Sequence, residues 1–196
     1  MTEEQVNKLV TQSLKHHFVE MMLQSLMGYD VYTYAHSLSV AKKSVVFAEY
    51  ISVPDEEMNE LVYAALLHDI GKIMVPQYII LKKEPLTDIE FEQIKMHPLM
   101  GANLIKKTTF FSNEVVNGVL THHENFDGSG YISGYMYDEI GLYGKILRLA
   151  DSFDALMDDR PYRPGYTKEA ALKIIEKGAG KEYDPFLCKK FINCFQ

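Results

Sequence analysis

An all-α fold is predicted for this chain of 196 residues by three features. Apolar residues recur at helical spacing, most clearly at Met58, Leu61, Val62 and Ala65, which share one face with Asp69. Helix punctuation is frequent, with a capping box at Thr87 and Glu90 ("TDIE"), Gly178 as a stop and Asp184-Pro185 as a start. Strand signals are weak, and no linker, internal repeat or low-complexity tract divides the chain. A chain of this size buries roughly 70% of its unfolded surface, so a helical bundle with a real core is expected.

Read in order, residues 9–27 form a weakly amphipathic helix, and residues 31–50 form a second that stops at "SVPDE". The Met58 face makes a third. Thr87 opens a fourth running towards His97, and residues 113–123 and 144–158 read as two more. Residues 167–177 are helical up to Gly178, and the last helix starts at Asp184-Pro185, with proline suited to the first turn. Residues 75–85 and 125–142 are long and irregular, and long loops inside a compact domain often carry function. Residues 1–30 are expected to supply an N-terminal helix that packs on a core formed by residues 31–196.

Apolar content of 47% and charged content of 24% are those of a globular protein. The net charge of −7 speaks against duplex nucleic acid, which requires a basic face. It leaves room for a small anionic substrate, because bound cations can dominate a local field. Cys188 and Cys194 match no zinc spacing and make no disulfide framework. The polar, acidic start "MTEEQVNKLVTQ" is no signal peptide, and no apolar run approaches the ~20 residues needed to span a bilayer. A cytoplasmic location is expected.

Five of the seven histidines sit within or at the end of predicted helices among apolar neighbours: His36, His68, His97, His122 and His123. His16 and His17, in the polar context "KHHFVE", are expected at the surface. Asp69 ends an apolar face, and Asp151 interrupts the apolar run "ILRLADSFDAL". A carboxylate buried without a partner is costly. A closed His-Asp pair would be enough for Asp69 alone. Five imidazoles and two carboxylates on several helices converge only in a bundle interior, where di-metal sites are built. The adjacent His122 and His123 suit such a site. Neighbouring helical residues point about 100° apart, so the pair can serve two metals, or one metal and its surroundings.

The motifs follow one another in a recognisable order: His36, "HDIGK" at 68–72, "KMHPLMG" at 95–101, "HHENFDGSGYI" at 122–132, "LADSFDAL" at 149–156, "DRPYR" at 159–163 and "GAGKEYDP" at 178–185. On these residues the chain resembles the HD-GYP family of cyclic-dinucleotide phosphodiesterases, a branch of the HD metal-dependent phosphohydrolases. The resemblance implies an all-α HD-domain bundle with its metal centre in the interior and a catalytic domain over residues 31–196. It implies two divalent cations, iron or manganese, held by His36, His68, Asp69, His97, His122, His123 and Asp151. Asp69 would bridge them. His36, His68 and Asp151 would complete one metal, and His97 with the paired histidines the other. Lys72, expected one helical turn after His68, would act with Asp69 in catalysis and contact a phosphate oxygen. Arg160 and Arg163 would bind substrate, since guanidinium forks suit phosphate oxygens and guanine edges.

Asp127, Gly128, Gly130 and Tyr131 make up the family's GYP loop, in which glycine permits backbone angles closed to other residues. Asp127 would orient a ligating histidine or cap the loop, and Tyr131 would pack beneath the site or stack near a base. The implied reaction is hydrolysis of cyclic di-GMP to pGpG and/or GMP, with a mixed cyclic GMP-AMP as the other candidate substrate. Implied partners are a GGDEF-domain protein at the GYP loop and a second copy of the chain. Some positions depart from the family pattern. Ile132 stands for proline, Asn125 for a basic residue, and Ser39 for a common arginine. Tyr32 stands where three-metal members place a glutamate, and a phenol of unperturbed pKa near 10 is a poor substitute, hence the expectation of two metals. Two other readings stay open. One is a module that senses the dinucleotide or docks a partner without turnover. The other is an HD phosphohydrolase of mononucleotides, which would make His97, His122 and His123 superfluous.

Overall fold

In the structure, a computed structural model that describes residues 1–159 and 164–196, helix follows helix. Among the described residues the only β-type pairing is an isolated bridge between Ala179 and Tyr183. The predicted all-α class holds. The single helix expected over residues 9–27 does not. α1 (Glu3–Leu14) and α2 (His17–Tyr29) are separated at His16, whose backbone is extended. The His16 ring stacks on Phe110, with centroids 3.8 Å apart, and lies beside Tyr63. That aromatic contact with distant residues overrides the local helical pattern. His16 is therefore half-buried with Nδ1 sealed from solvent, while His17 is exposed as expected.

α3 (Val31–Tyr50) starts where the Asp30 carboxylate accepts from the backbone N–H groups of Tyr32 and Thr33, both at 3.1 Å. α4 (Asp55–Leu67) has three acidic residues in its first turn, where the helix dipole favours them. The face that was to continue to Asp69 ends early. His68 caps α4, and a 3₁₀ turn, Ile70–Met74, takes over. Two short helices follow, α5 (Gln77–Ile80) inside the first irregular stretch and α6 (Asp88–Lys95) behind the expected capping box of Thr87 and Glu90. α7 (His97–Lys106) carries Pro98 in its first turn, and α8 (Asn113–Thr121) is capped by Ser112. The second irregular stretch holds a 3₁₀ turn at Tyr137–Glu139. α9 (Leu142–Met157), α10 (Lys168–Lys177) and α11 (Pro185–Phe195) complete the chain. Among the described residues no helix is long and apolar enough to cross a membrane.

α3, α4, α8 and α9 form the centre, each packed on two neighbours, with α7 against α8 and the 3₁₀ turn. Leu61, Leu66, Leu67, Val45, Ile146 and Phe153 are sealed between them. α1 and α2 close one side over α3 and α4 and contribute Val19, Leu23 and Leu26 to the same core. α10 and α11 close the other side over α9 and α3. The contact that sets the site is between backbones. A Cβ on Gly71 would stand 2.0 Å from the His97 carbonyl oxygen and 2.5 Å from the Gly101 nitrogen. Glycine at 71 thus lets the turn after Asp69 lie directly on α7, which a helix stop alone would not require. Gly71→Ala is expected to cost about 3 kcal/mol and to lower the melting temperature by roughly 6–12 °C, because neither backbone can yield cheaply. An unchanged midpoint in circular dichroism would show that α7 can retreat.

Candidate metal centre

Helix ends bring the histidines together. His68 lies at the end of α4, His97 at the start of α7, and His122 and His123 just beyond α8, while His36 and Asp151 stand mid-helix on α3 and α9. Two groups of potential ligand atoms result, each within 4.8 Å of one another: Asp69 with His97, His122 and His123, and Asp69 with His36 and His68. Asp69 belongs to both. Asp151 belongs to neither, although its Oδ1 lies 2.9 Å from His36 Nε2. It stands beside the second group, at the nitrogen a metal would use. His122 and His123 fall together in the first group, which the adjacent-residue geometry had left open.

Three rings are aimed in the same way. Nδ1 of His68, His97 and His122 donates to the carbonyl three residues back, of Ala65, Ile94 and Val119, at 2.8, 2.7 and 2.7 Å. A carbonyl only accepts, so Nδ1 carries the hydrogen and Nε2 presents a lone pair. The Nε2 atoms of His97 and His122 face each other at 3.1 Å. His68 Nε2 and Asp69 Oδ1 are buried without a hydrogen bond. His97 Nε2 does lie 3.1 Å from Asp69 Oδ1, but two acceptors at that distance make a contact that only a cation between them relieves. Buried unmet acceptors cost about 1–3 kcal/mol each. The donor set of imidazole nitrogens around a shared carboxylate fits a pair of transition-metal ions.

Charge is balanced accordingly. Burial pushes the Asp69 carboxyl up, but the Lys72 ammonium, with His68 beside it, holds it well below the usual range. Lys72 Nζ reaches Asp69 Oδ2 at 2.6 Å from the 3₁₀ turn, where a continuing helix had been expected to carry it. Asp151 is likewise lifted by burial and brought well down by His36 and His123. Burial and neighbouring imidazoles keep His122 and His123 neutral, as ligands must be. Burial alone would lower His36, yet its bonds to Asp151 and Asp154 raise it to about 10.

Sequence reasoning passed over two groups on α9. Asp154 Oδ2 takes His36 Nδ1 at 2.5 Å, while its Oδ1 accepts from Ser39 at 2.5 Å and Lys43 at 2.7 Å. Ser39 and Lys43 thus place a cation on the carboxylate that aims His36. Arg148 donates to Asn125 Oδ1 through Nε and Nη2 at 3.2 and 2.9 Å, to Ser152 at 2.8 Å and to Glu182 at 3.3 Å. It lines a cleft of about 280 Å³ with Tyr32, His36, Asp69, Lys72, His123 and Asp151. The spacing 148, 151, 154 on one helical face was the available signal.

The GYP loop is capped by its own aspartate and rests on His123, whose carbonyl accepts from the Tyr131 N–H at 3.3 Å. Asp127 accepts from the N–H and hydroxyl of Ser129 at 2.9 and 2.6 Å, so it caps the loop. Gly128 adopts φ +80, open to glycine, and a Cβ on Gly130 would meet the Asn125 nitrogen at 2.2 Å. Tyr131 stacks on His123, with centroids 4.9 Å apart. Glu124, buried, accepts from Ser133 at 2.6 Å and Gly134 at 3.1 Å. Arg160 and Arg163 lie outside the described residues.

A family model described as HD domain matches residues 14–187. The chain is an HD-domain protein of the HD-GYP type. This HD-GYP chain is 34% identical to the cyclic di-GMP phosphodiesterase PA4108 of Pseudomonas aeruginosa, over 95% of its own length and 45% of that protein's. It is 36% identical to the 3'3'-cGAMP-specific phosphodiesterase 3 of Vibrio cholerae, over 79% of its own length and 33% of that protein's. It therefore spans less than half the length of these relatives. Its fold matches that of Bd1817, a HDG"Y"P protein from Bdellovibrio bacteriovorus, with a TM-score of 0.70 at 18% identity, over 97% of this chain and 63% of that one.

Two outcomes follow from the Asp154–His36 pair. Asp154→Ala is expected to weaken manganese binding about tenfold to a hundredfold, as loss of a ligand-orienting carboxylate does; equal affinity in metal titration would contradict that role. A cation at His36 Nε2 competes with a proton held up to about pH 10. Apparent affinity should therefore rise with pH up to that point, with proton release on loading that calorimetry in two buffers can count. No proton release at pH 8 would show that the ring is already neutral.

Proposed function

We propose that this HD-GYP domain hydrolyses a 3′,5′ phosphodiester of a cyclic dinucleotide, cyclic di-GMP first among them, to pGpG and/or GMP. The observation that carries the proposal is the buried carboxylate Asp69, shared by two ligand groups at the floor of a cleft lined by two cations. Such a floor suits a pair of divalent ions, and the cations suit an anionic substrate. Relatives named for cyclic di-GMP and for 3'3'-cGAMP support the substrate class.

When bound, two divalent cations, iron or manganese as the family resemblance implies, would supply an activated water and a clamp for in-line displacement. His36, His68 and Asp151 would hold one, His97, His122 and His123 the other, and Asp69 both. The water oxygen bonds to phosphorus and the P–O3′ bond breaks, leaving a 5′-phosphate and a 3′-hydroxyl that takes a proton. Lys72, on Asp69, is placed to steady charge growing on a phosphoryl oxygen. Arg148 approaches from the opposite helix. Four of its five N–H groups are engaged by Asn125, Ser152 and Glu182, which fixes the guanidinium plane and leaves an Nη1 hydrogen for substrate. Tyr131 holds His123 by stacking on it. Arg160 and Arg163 are further proposed substrate contacts. A cytoplasmic setting suits a nucleotide substrate, and the GYP loop is the proposed face for a GGDEF-type partner.

The direct test is anaerobic loading with iron or manganese followed by product identification with cyclic di-GMP. Asp69→Ala is expected to lose most bound metal and nearly all hydrolysis; full occupancy at the wild-type rate would sink the bridging assignment. Arg148→Ala is expected to lower kcat/KM roughly tenfold to a hundredfold, the worth of a charge-assisted contact, with metal content unchanged and Arg148→Lys intermediate. An unaltered kcat/KM would leave Arg148 a purely structural tie.

A further inference from the structure

Beside the catalytic cleft lies a second lobe of about 260 Å³, and Tyr32 and His36 line both. Its floor is α3, where Ala35 and Ser39, one turn apart, keep side chains short. Its far wall is the end of α9, with Met157 and Asp158. Of the two carboxylates in the lobe, Asp154 is fully engaged, one oxygen with His36 and the other with Ser39 and Lys43. Asp158 is half-buried, and among the described residues its carboxylate has no hydrogen bond or ion pair. Its own N–H closes α9 on the Asp154 carbonyl at 3.1 Å, which makes it the C-cap. An anion there faces the negative end of the helix dipole. The local helix therefore gives no stabilising reason for an aspartate at 158.

We infer that this lobe is a purine subsite in which Asp158 selects guanine over adenine. The inference rests on the cyclic-dinucleotide reading above and adds the base that the chain reads. A carboxylate offers two acceptors and no donor. Guanine presents N1–H and an amino N–H side by side, so both oxygens are used. Adenine presents on that edge an amino donor beside a ring nitrogen lone pair, which would face the second carboxylate oxygen unpaired. A site built around hydrogen bonds rejects the analogue that cannot make them. The Tyr32 ring and the Met157 thioether give the flat apolar walls that a base stacks on. Because Tyr32 and His36 line both spaces, a base held in the lobe lets its attached phosphodiester extend into the cleft that Asp69 lines.

A consequence concerns the substrate with one base of each kind. A mixed cyclic GMP-AMP can place only its guanine at Asp158, so only one of its two phosphodiesters lies over the ligand groups. The metal-loaded protein should therefore open it to a single linear isomer, and a role of Asp158 in folding alone would not produce that.

The experiment compares metal-loaded wild type, Asp158→Asn and Ala35→Leu on cyclic di-GMP, 3'3'-cGAMP and cyclic di-AMP, reading kcat/KM and the linear isomers by mass spectrometry. Metal content and melting temperature report folding. Wild type is expected to prefer cyclic di-GMP over cyclic di-AMP and to give one isomer from the mixed dinucleotide. Asp158→Asn, whose amide can face either base, should shrink that preference roughly tenfold to a hundredfold and yield both isomers. Ala35→Leu, at an exposed position that tolerates bulk, should fill the lobe and weaken guanine selection in the same direction. An unchanged preference in both variants, or both isomers from wild type, overturns the inference. If loaded wild type turns over none of the three, the phosphodiester reading fails instead. Calorimetric binding of the same dinucleotides to wild type and Asp158→Asn then decides the base assignment on its own.

Discussion

A carboxylate sealed from water has to be neutralised where it stands, and Asp69 is 1% exposed. The arrangement around it answers that constraint. Lys72 and five imidazoles surround the carboxylate, and the ammonium, with His68 next to it, outweighs the burial that would otherwise protonate it. Three helix ends, those of α4, α7 and α8, must meet at this point for that to happen. They can meet only because Gly71 allows the turn after Asp69 to touch the backbone of α7. The same contact places His97 opposite His68. Fold and site are thus one packing problem, with the tightest backbone approach and the most polar interior at the same place.

The candidate ligand rings are oriented by backbone, which makes the orientation cheap and hard to lose. A histidine at a helix end finds the carbonyl three residues back without a further partner, as His68, His97 and His122 do. His36 stands mid-helix, where carbonyls are taken by the helix itself, so it needs a carboxylate from elsewhere, and Asp154 supplies it. That difference explains why one ring of the set depends on α9. The same helix then carries the rest of the cleft, with Arg148 a turn before Asp151, Asp154 a turn after it and Asp158 at its end.

Much of this was legible in the sequence. Helical periodicity and caps depend on neighbours three or four residues away, so α3 and the capping box before α6 could be read directly. Asp69, His68 and the paired histidines were marked by chemistry that an apolar helix face does not tolerate without a purpose. The break at His16 was not legible, because Phe110, which draws the ring out of line, is far along the chain. Asp154 and Arg148 were hidden for a related reason. An aspartate or arginine on an amphipathic helix reads as a solvated residue until a partner on another helix is known.

The sequence by itself therefore determined the helical class, the residues whose chemistry suits a metal and the family they resemble, since these follow from local spacing and side-chain chemistry. Only the tertiary structure decided which side chains meet. Asp69 is shared between two groups, and Asp151 stands beside one of them. Lys72 reaches Asp69 from a turn rather than a helix, and a separate lobe opens next to His36. Those outcomes depend on the close approach of elements distant in the chain, and a linear pattern carries no term for that distance.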